Sequence, residues 1–178
     1  MNEKKNFFKE TIKPIIVLVV ICLLSSGLLG ITNAVTAPII KENELAAALK
    51  DRQDLLPEAT GFTEIHYDGD HRVKSIHADD NGSGYIIVVE AGGYGGTVTT
   101  TAAIASDGSV ISIRVGADTE TKGLGSKVAL ESFTDNFIGH SLNDPAVSII
   151  SGATYSSKAV IESVVLALEV FDAVKGVN

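Results

Sequence analysis

The sequence predicts an α+β domain with a mainly antiparallel sheet, carried behind one N-terminal transmembrane helix. Three observations carry that expectation. Ile15 to Val35 is a run of 21 residues without a charge, the length of a bilayer-spanning helix. Two Asp-Gly pairs, Asp68-Gly69 and Asp107-Gly108, separate β-rich runs in the manner of hairpin turns. A broad apolar stripe at helical spacing closes the chain, after the last strand-like run rather than alternating with strands.

In chain order, residues 1–13 form a short cytoplasmic segment, 14–37 the transmembrane helix, 38–60 a helical connector and 61–178 the folded domain. Pro14 stands where a first helical turn accepts proline. The apolar run exceeds the roughly 7–15 residues of a signal-peptide core, so an uncleaved anchor is expected in preference to a leader cut near Thr32-Asn33-Ala34. Lys4, Lys5, Lys9 and Lys13 precede the run and only Lys41 follows closely, so the positive-inside rule puts the N-terminus in the cytoplasm and the domain on the outer face. Residues 1–13 carry a net +2, which with −8 overall leaves −10 for the remainder. Such an acidic domain has no electrostatic affinity for nucleic acid or anionic lipid. Cys22 is the only cysteine and lies in the apolar run, so the domain has neither a disulfide nor thiolates for an iron–sulfur cluster.

Glu42 to Leu56 reads as a helix stopped by Pro57. Phe62 to Asp68 and His71 to His77 read as a hairpin about Asp68-Gly69, followed by a strand at Tyr85 to Glu90. Thr97 to Ala105 and Ser109 to Val115 read as a second hairpin about Asp107-Gly108. Lys127 to Ile138 is expected to be helical, with Leu130, Phe133 and Phe137 on one face, Ser126 as N-cap and Gly139 as the stop. Ala146 to Ile150 reads as a short apolar strand, and Ser157 to Lys175 as the strongest helix, with Val160, Ile161, Val164, Val165, Leu168 and Phe171 in its stripe. The four histidines, His66, His71, His77 and His140, show no metal-ligand spacing. They are expected as solvated positions, His71 and His77 sharing a strand face.

Three segments carry chemistry. Ser151-Gly152-Ala153-Thr154-Tyr155-Ser156 leads into the last helix, where free N–H groups and the helix dipole favour an anion and small residues let a phosphate approach. Asp118 to Lys127 joins a strand to a helix through Gly123 and Gly125, with Lys127 as a cation. Gly92-Gly93-Tyr94-Gly95-Gly96 places four glycines around one aromatic ring, which suits a bend where something approaches the backbone. Singly, each also reads as an ordinary turn or cap.

Taken in order, Gly-Tyr-Gly-Gly, Glu-Thr-x-Gly-Leu-Gly-x-Lys and Ser-Gly-Ala-Thr-x-Ser resemble the covalent FMN-binding domain. One membrane span followed by one such domain looks like the G subunit of the Rnf electron-transport complex. It is also similar to the C subunit of the sodium-pumping NADH:quinone oxidoreductase, which is usually longer. The resemblance implies an FMN phosphate esterified to Thr154 by a flavin transferase. It implies that Ser151, Gly152 and Ala153 wrap the phosphate and that Ser156 completes the transferase's motif. It further implies that Glu120, Thr121, Gly123, Leu124, Gly125 and Lys127 line the flavin site, with Tyr94 near the ring. The implied function is electron transfer within a complex that exchanges electrons between ferredoxin and NAD and moves sodium ions or protons. This chain has Ser148 where the family often has Asp, and Lys122 where it often has Pro. The reading from a different class is a cofactor-free anchored scaffolding module with Thr154 as a helix cap.

Overall fold

The structure, a computed structural model, describes residues 2–144 and 147–176. It divides into two units, 1–49 and 50–178. The first is helical throughout its described residues and belongs to α1 (Asn2–Leu55). Within it, Ile12–Ile40 is long and apolar enough to cross a membrane, and its side chains are not buried by protein. These 29 residues rise about 44 Å as an α-helix, more than the roughly 30 Å of a hydrocarbon core. Pro14 and Pro38 both lie inside α1 rather than at its ends. The expected helix at Glu42 to Leu56 is therefore the end of one helix, which stops at Leu55, two residues before Pro57.

The second unit is built on a sheet in the order β1-β2-β3-β4-β5, every neighbour antiparallel. Its strands are β1 (Phe62–Ile65), β2 (Val73–Asp79), β3 (Gly84–Gly92), β4 (Thr97–Ala105) and β5 (Val110–Gly116). Sequential antiparallel order is what short, hairpin-type connections allow. At Asp107-Gly108 the turn forms as expected. Gly108 takes φ +89°, where side chains are disfavoured, and Asp107 Oδ1 accepts from the Ser109 N–H and hydroxyl. The first hairpin is looser than the Asp68-Gly69 signal implies, because Asp70 takes over: its carboxyl accepts from the Arg72 backbone and guanidinium, and β2 begins only at Val73.

Both faces of the sheet are covered, which explains the unbroken apolar run Ile86-Ile87-Val88-Val89 in β3. Successive side chains point to opposite faces. Ile87 and Ala102, partners across β3 and β4, join Val89, Val98 and Ile104 in the core beneath α3 (Thr154–Val174). That helix contributes Val160, Val164, Ala167, Leu168, Phe171 and Val174, the apolar stripe of the sequence. Ile86 and its partner Ala103 turn the other way, against Leu55, Leu56 and Ala59. Ser112 Oγ donates to Leu55 O, and Arg114 pairs with Asp51 and Asp54, fastening residues 51–55 to β5.

Four expectations are corrected. The helix expected over Lys127 to Ile138 is three short pieces: a 3-10 turn (Gly125–Ala129), α2 (Glu131–Thr134) and a 3-10 turn (Asp135–Phe137). Leu130 breaks them with extended backbone, φ −82° and ψ 144°, while Phe133 and Phe137 still reach the core and stack edge to face. Ser126 is not an N-cap; its hydroxyl accepts from the Gly123 N–H. Residues 147–150 are not a strand, and the Ala146 end of that expected run lies outside the described residues; the Ile150 N–H donates to Ser157 Oγ instead of to a sheet neighbour. His71 and His77 share no strand face: His71 is exposed in the turn before β2, and His77 is buried on β2 opposite Glu64. Burial holds the His77 imidazole below its usual pKa, with Arg52 adding to the effect and Glu64 opposing it.

Candidate functional site: a cleft at the start of the last helix

The three glycine-rich segments meet at one buried acidic side chain. Glu120 is 5% exposed. Its Oε1 accepts from the Gly95 N–H at 3.2 Å, and its Oε2 accepts from the Ser156 hydroxyl at 2.9 Å. Ser156 is itself 1% exposed, on the first turn of α3. One carboxyl group thus ties the Gly92–Gly96 segment to the helix start, and it belongs to the third segment. The glycines follow from this contact. A side-chain carbon at Gly93 would overlap Glu120 Oε1, and one at Gly125 would overlap Glu120 Oε2. At Gly95 it would run into the Thr119 carbonyl, and at Gly96 into the Thr119 side chain. What approaches the backbone at Gly93, Gly95 and Gly96 is therefore chiefly Thr119 and Glu120 of the same chain. Thr119 Oγ1 donates to Thr97 O and completes the junction.

Around this junction opens a cleft of about 620 Å³, within the ordinary size of a small-molecule site. Tyr94, Glu120, Thr121, Leu124, Gly125, Gly152, Ala153, Thr154, Tyr155 and Ser156 line it. Nine of the twelve residues singled out from the sequence are thereby brought together. The other three are not on the lining: Ser151 is exposed in the turn before α3, Gly123 is exposed with φ +77°, and Lys127 is exposed on the first 3-10 turn. Tyr155 lines the cleft and was not singled out. It occupies the unspecified position of the Ser-Gly-Ala-Thr-x-Ser motif. The available signal was its place in the first turn of a helix, beside the acceptor threonine.

The helix start has the chemistry of an anion site. The first intrahelical bond runs from the Ser157 N–H to Ala153 O, at 2.8 Å. The N–H groups of Thr154, Tyr155 and Ser156 consequently have no intrahelical acceptor. Gly152 holds φ +83°, the left-handed region, which turns the chain into the helix over the cleft. Ala153 occupies the N-cap and no side chain caps the helix. Thr154 is the first helical residue and is exposed. The capping role expected of Thr154 in the scaffolding reading is therefore corrected: the cap position belongs to the residue before it, which has no hydroxyl. What the site offers is an exposed alcohol beside amides without intrahelical acceptors, on the lining of a cleft of small-molecule size. Those features fit a phosphate at the helix start and a ring in the cleft.

Comparison with known proteins shows a similarity first at the level of the domain. Residues 93–169, which span the whole cleft, match the family model of the FMN-binding domain. The wider chain then aligns with the G subunits of ion-translocating oxidoreductases. It is 29% identical over 94% of its length to the G subunit of the ion-translocating oxidoreductase complex of Methanosarcina acetivorans, covering 98% of that protein. It is 25% identical over 85% of its length to the G subunit of the proton-translocating ferredoxin:NAD(+) oxidoreductase complex of Clostridium ljungdahlii, covering 86% of it. To the Na(+)-translocating counterpart of Acetobacterium woodii it is 28% identical over 92% of its length, covering 93% of that protein. The chain is thus similar to these G subunits over most of its length, and the similarity to the FMN-binding domain falls on the segment that holds the cleft. A crystal structure of the C subunit of the Na(+)-translocating NADH-quinone reductase of Parabacteroides distasonis aligns over 58% of this chain and 60% of that one, at 24% identity and a TM-score of 0.45.

Proposed function

We propose that this chain is the membrane-anchored electron-transfer subunit of an Rnf-type complex, with FMN held covalently through a phosphoester to Thr154. The observation that carries the covalent reading is the exposed, uncapping hydroxyl of Thr154 on the first turn of α3, beside amides without intrahelical acceptors. Thr154 supplies the oxygen of the ester. The amides of the first turn and the helix dipole stabilise the phosphodiester anion, a contribution of about 0.3–1 kcal/mol, more when partly buried. Gly152 and Ala153 let the phosphate lie against the backbone, and Glu120 holds the surrounding segments in place. An unassisted threonine alcohol is a poor nucleophile, so a flavin transferase supplies the activation. When bound, FMN supplies the redox chemistry, and the protein supplies position and surroundings.

Helix α1 anchors the domain, with the N-terminal lysines in the cytoplasm and residues after 40 on the outer face. Other subunits supply the nicotinamide site and the clusters. In membranes from cells lacking this chain, ferredoxin-dependent NAD reduction falls to background. Restoring the native chain recovers it, and restoring Thr154→Ala does not. Full recovery by the Thr154→Ala chain would defeat the assignment.

A further inference from the structure

Three of the large apolar side chains left exposed in the second unit converge on the one cleft just described. Tyr94 is 74% exposed, Tyr155 71% and Leu124 47%, and all three line it. The two tyrosine rings lie 6.3 Å apart, centre to centre, tilted by 40°. That is within stacking range, yet neither ring is covered by other protein. They come from different segments. Tyr94 sits between Gly93 and Gly95, whose backbone is pinned through Glu120, and Tyr155 is the second residue of α3. The pinning fixes where both rings start. Leu124 comes close to Gly152 at the turn into the helix: a side-chain carbon on Gly152 would lie 3.5 Å from Leu124 Cδ1.

Two wet aromatic rings beside an apolar side chain form a place for a third flat ring. Tyr155 is the residue after Thr154, so a ring tethered at Thr154 starts within reach of it. Resting on the Thr154 reading, we propose that Tyr94 and Tyr155 form an aromatic clamp that stacks on the flavin ring, with Leu124 adding apolar surface in the same cleft. The clamp positions the ring; the tether alone leaves it free to swing in solvent. Tyr94 and Tyr155 are thus positioning residues for the cofactor.

The test uses flavin fluorescence of the full chain, co-produced with a flavin transferase and purified in detergent. A phenol stacked on an excited flavin donates an electron to it and takes it back, which quenches emission without net reaction. Emission per flavin is measured in the folded protein and again after unfolding in guanidinium. The native chain is expected to brighten at least threefold on unfolding. Tyr155→Leu and Tyr94→Leu are each expected to raise folded-state emission at least twofold, and the double variant to approach the unfolded value. Both side chains are exposed, so the variants keep the native circular dichroism and the same flavin content. Equal folded-state emission in native and double-variant chains, with flavin content unchanged, overturns the clamp alone. A chain with no flavin after unfolding overturns the Thr154 reading and the clamp with it.

Discussion

Replacing Glu120 with alanine removes the acceptor that joins the three glycine-rich segments. The Gly95 N–H lies at an exposed residue, so water replaces its lost partner at little cost. The Ser156 hydroxyl is 1% exposed and loses its only acceptor, a penalty of about 1–3 kcal/mol. The vacated volume between Gly93 and Gly125 adds about 1 kcal/mol. The sum is roughly 2–4 kcal/mol, enough to lower the melting temperature of the domain by on the order of 10 °C. Glu120→Gln keeps the shape and one acceptor oxygen and is expected to cost about 1 kcal/mol. The assay is urea unfolding of the detergent-solubilised chain, followed by circular dichroism. A double-mutant cycle with Ser156→Ala isolates the contact and is expected to give a coupling of about 1–3 kcal/mol. Additive losses from the two substitutions would refute the bridge, since residues that share no interaction add to within about 0.5 kcal/mol.

Two further outcomes follow from the same geometry. Asp79 is buried, which by itself would raise its carboxyl, but hydrogen bonds from Ser83 and the backbone N–H groups of Thr60 and Asn81 outweigh this and hold it at about 2, against 3.8 in the unfolded chain. A depressed folded value gives stability that is present above about pH 4 and lost as pH falls toward 2, worth at most about 2 kcal/mol; Asp79→Asn should flatten that acid limb in urea titrations between pH 5 and pH 2. For topology, a membrane-impermeant maleimide applied to intact cells should label Glu131→Cys and not Lys5→Cys, each in a Cys22→Ala background; the reverse pattern would place the domain in the cytoplasm.

Periodicity made most of the fold readable. The β-rich runs and Asp-Gly punctuation of residues 84–116 give the β3–β5 meander to within two residues, and the 3.6-residue stripe gives α3. What periodicity missed is where tertiary contacts overrule local preference. Lys127 to Ile138 has a helical pattern, but Leu130 adopts extended backbone and splits it while Phe133 and Phe137 keep their places in the core. His77 alternates like a solvated position and is buried because residues 51–59 cover that side of the sheet, a packing no local window contains. The site shows the same division. Glycine content marked the segments, and their order marked the resemblance. The reason for Gly93 and Gly125 is the carboxyl group of Glu120, and for Gly95 and Gly96 it is the neighbouring Thr119; that carboxyl lies 25 residues from Gly95 and 36 from Ser156, which no sequence window joins.

The central claim is the covalent flavin, and intact mass with in-gel flavin fluorescence tests it most directly. The full chain is co-produced with a flavin transferase proven active on a known acceptor, then denatured. The account predicts a fluorescent band, heavier than the bare chain by FMN less one water, and its loss in Thr154→Ala. A dark band at the unmodified mass, or a fluorescent Thr154→Ala chain, would contradict it.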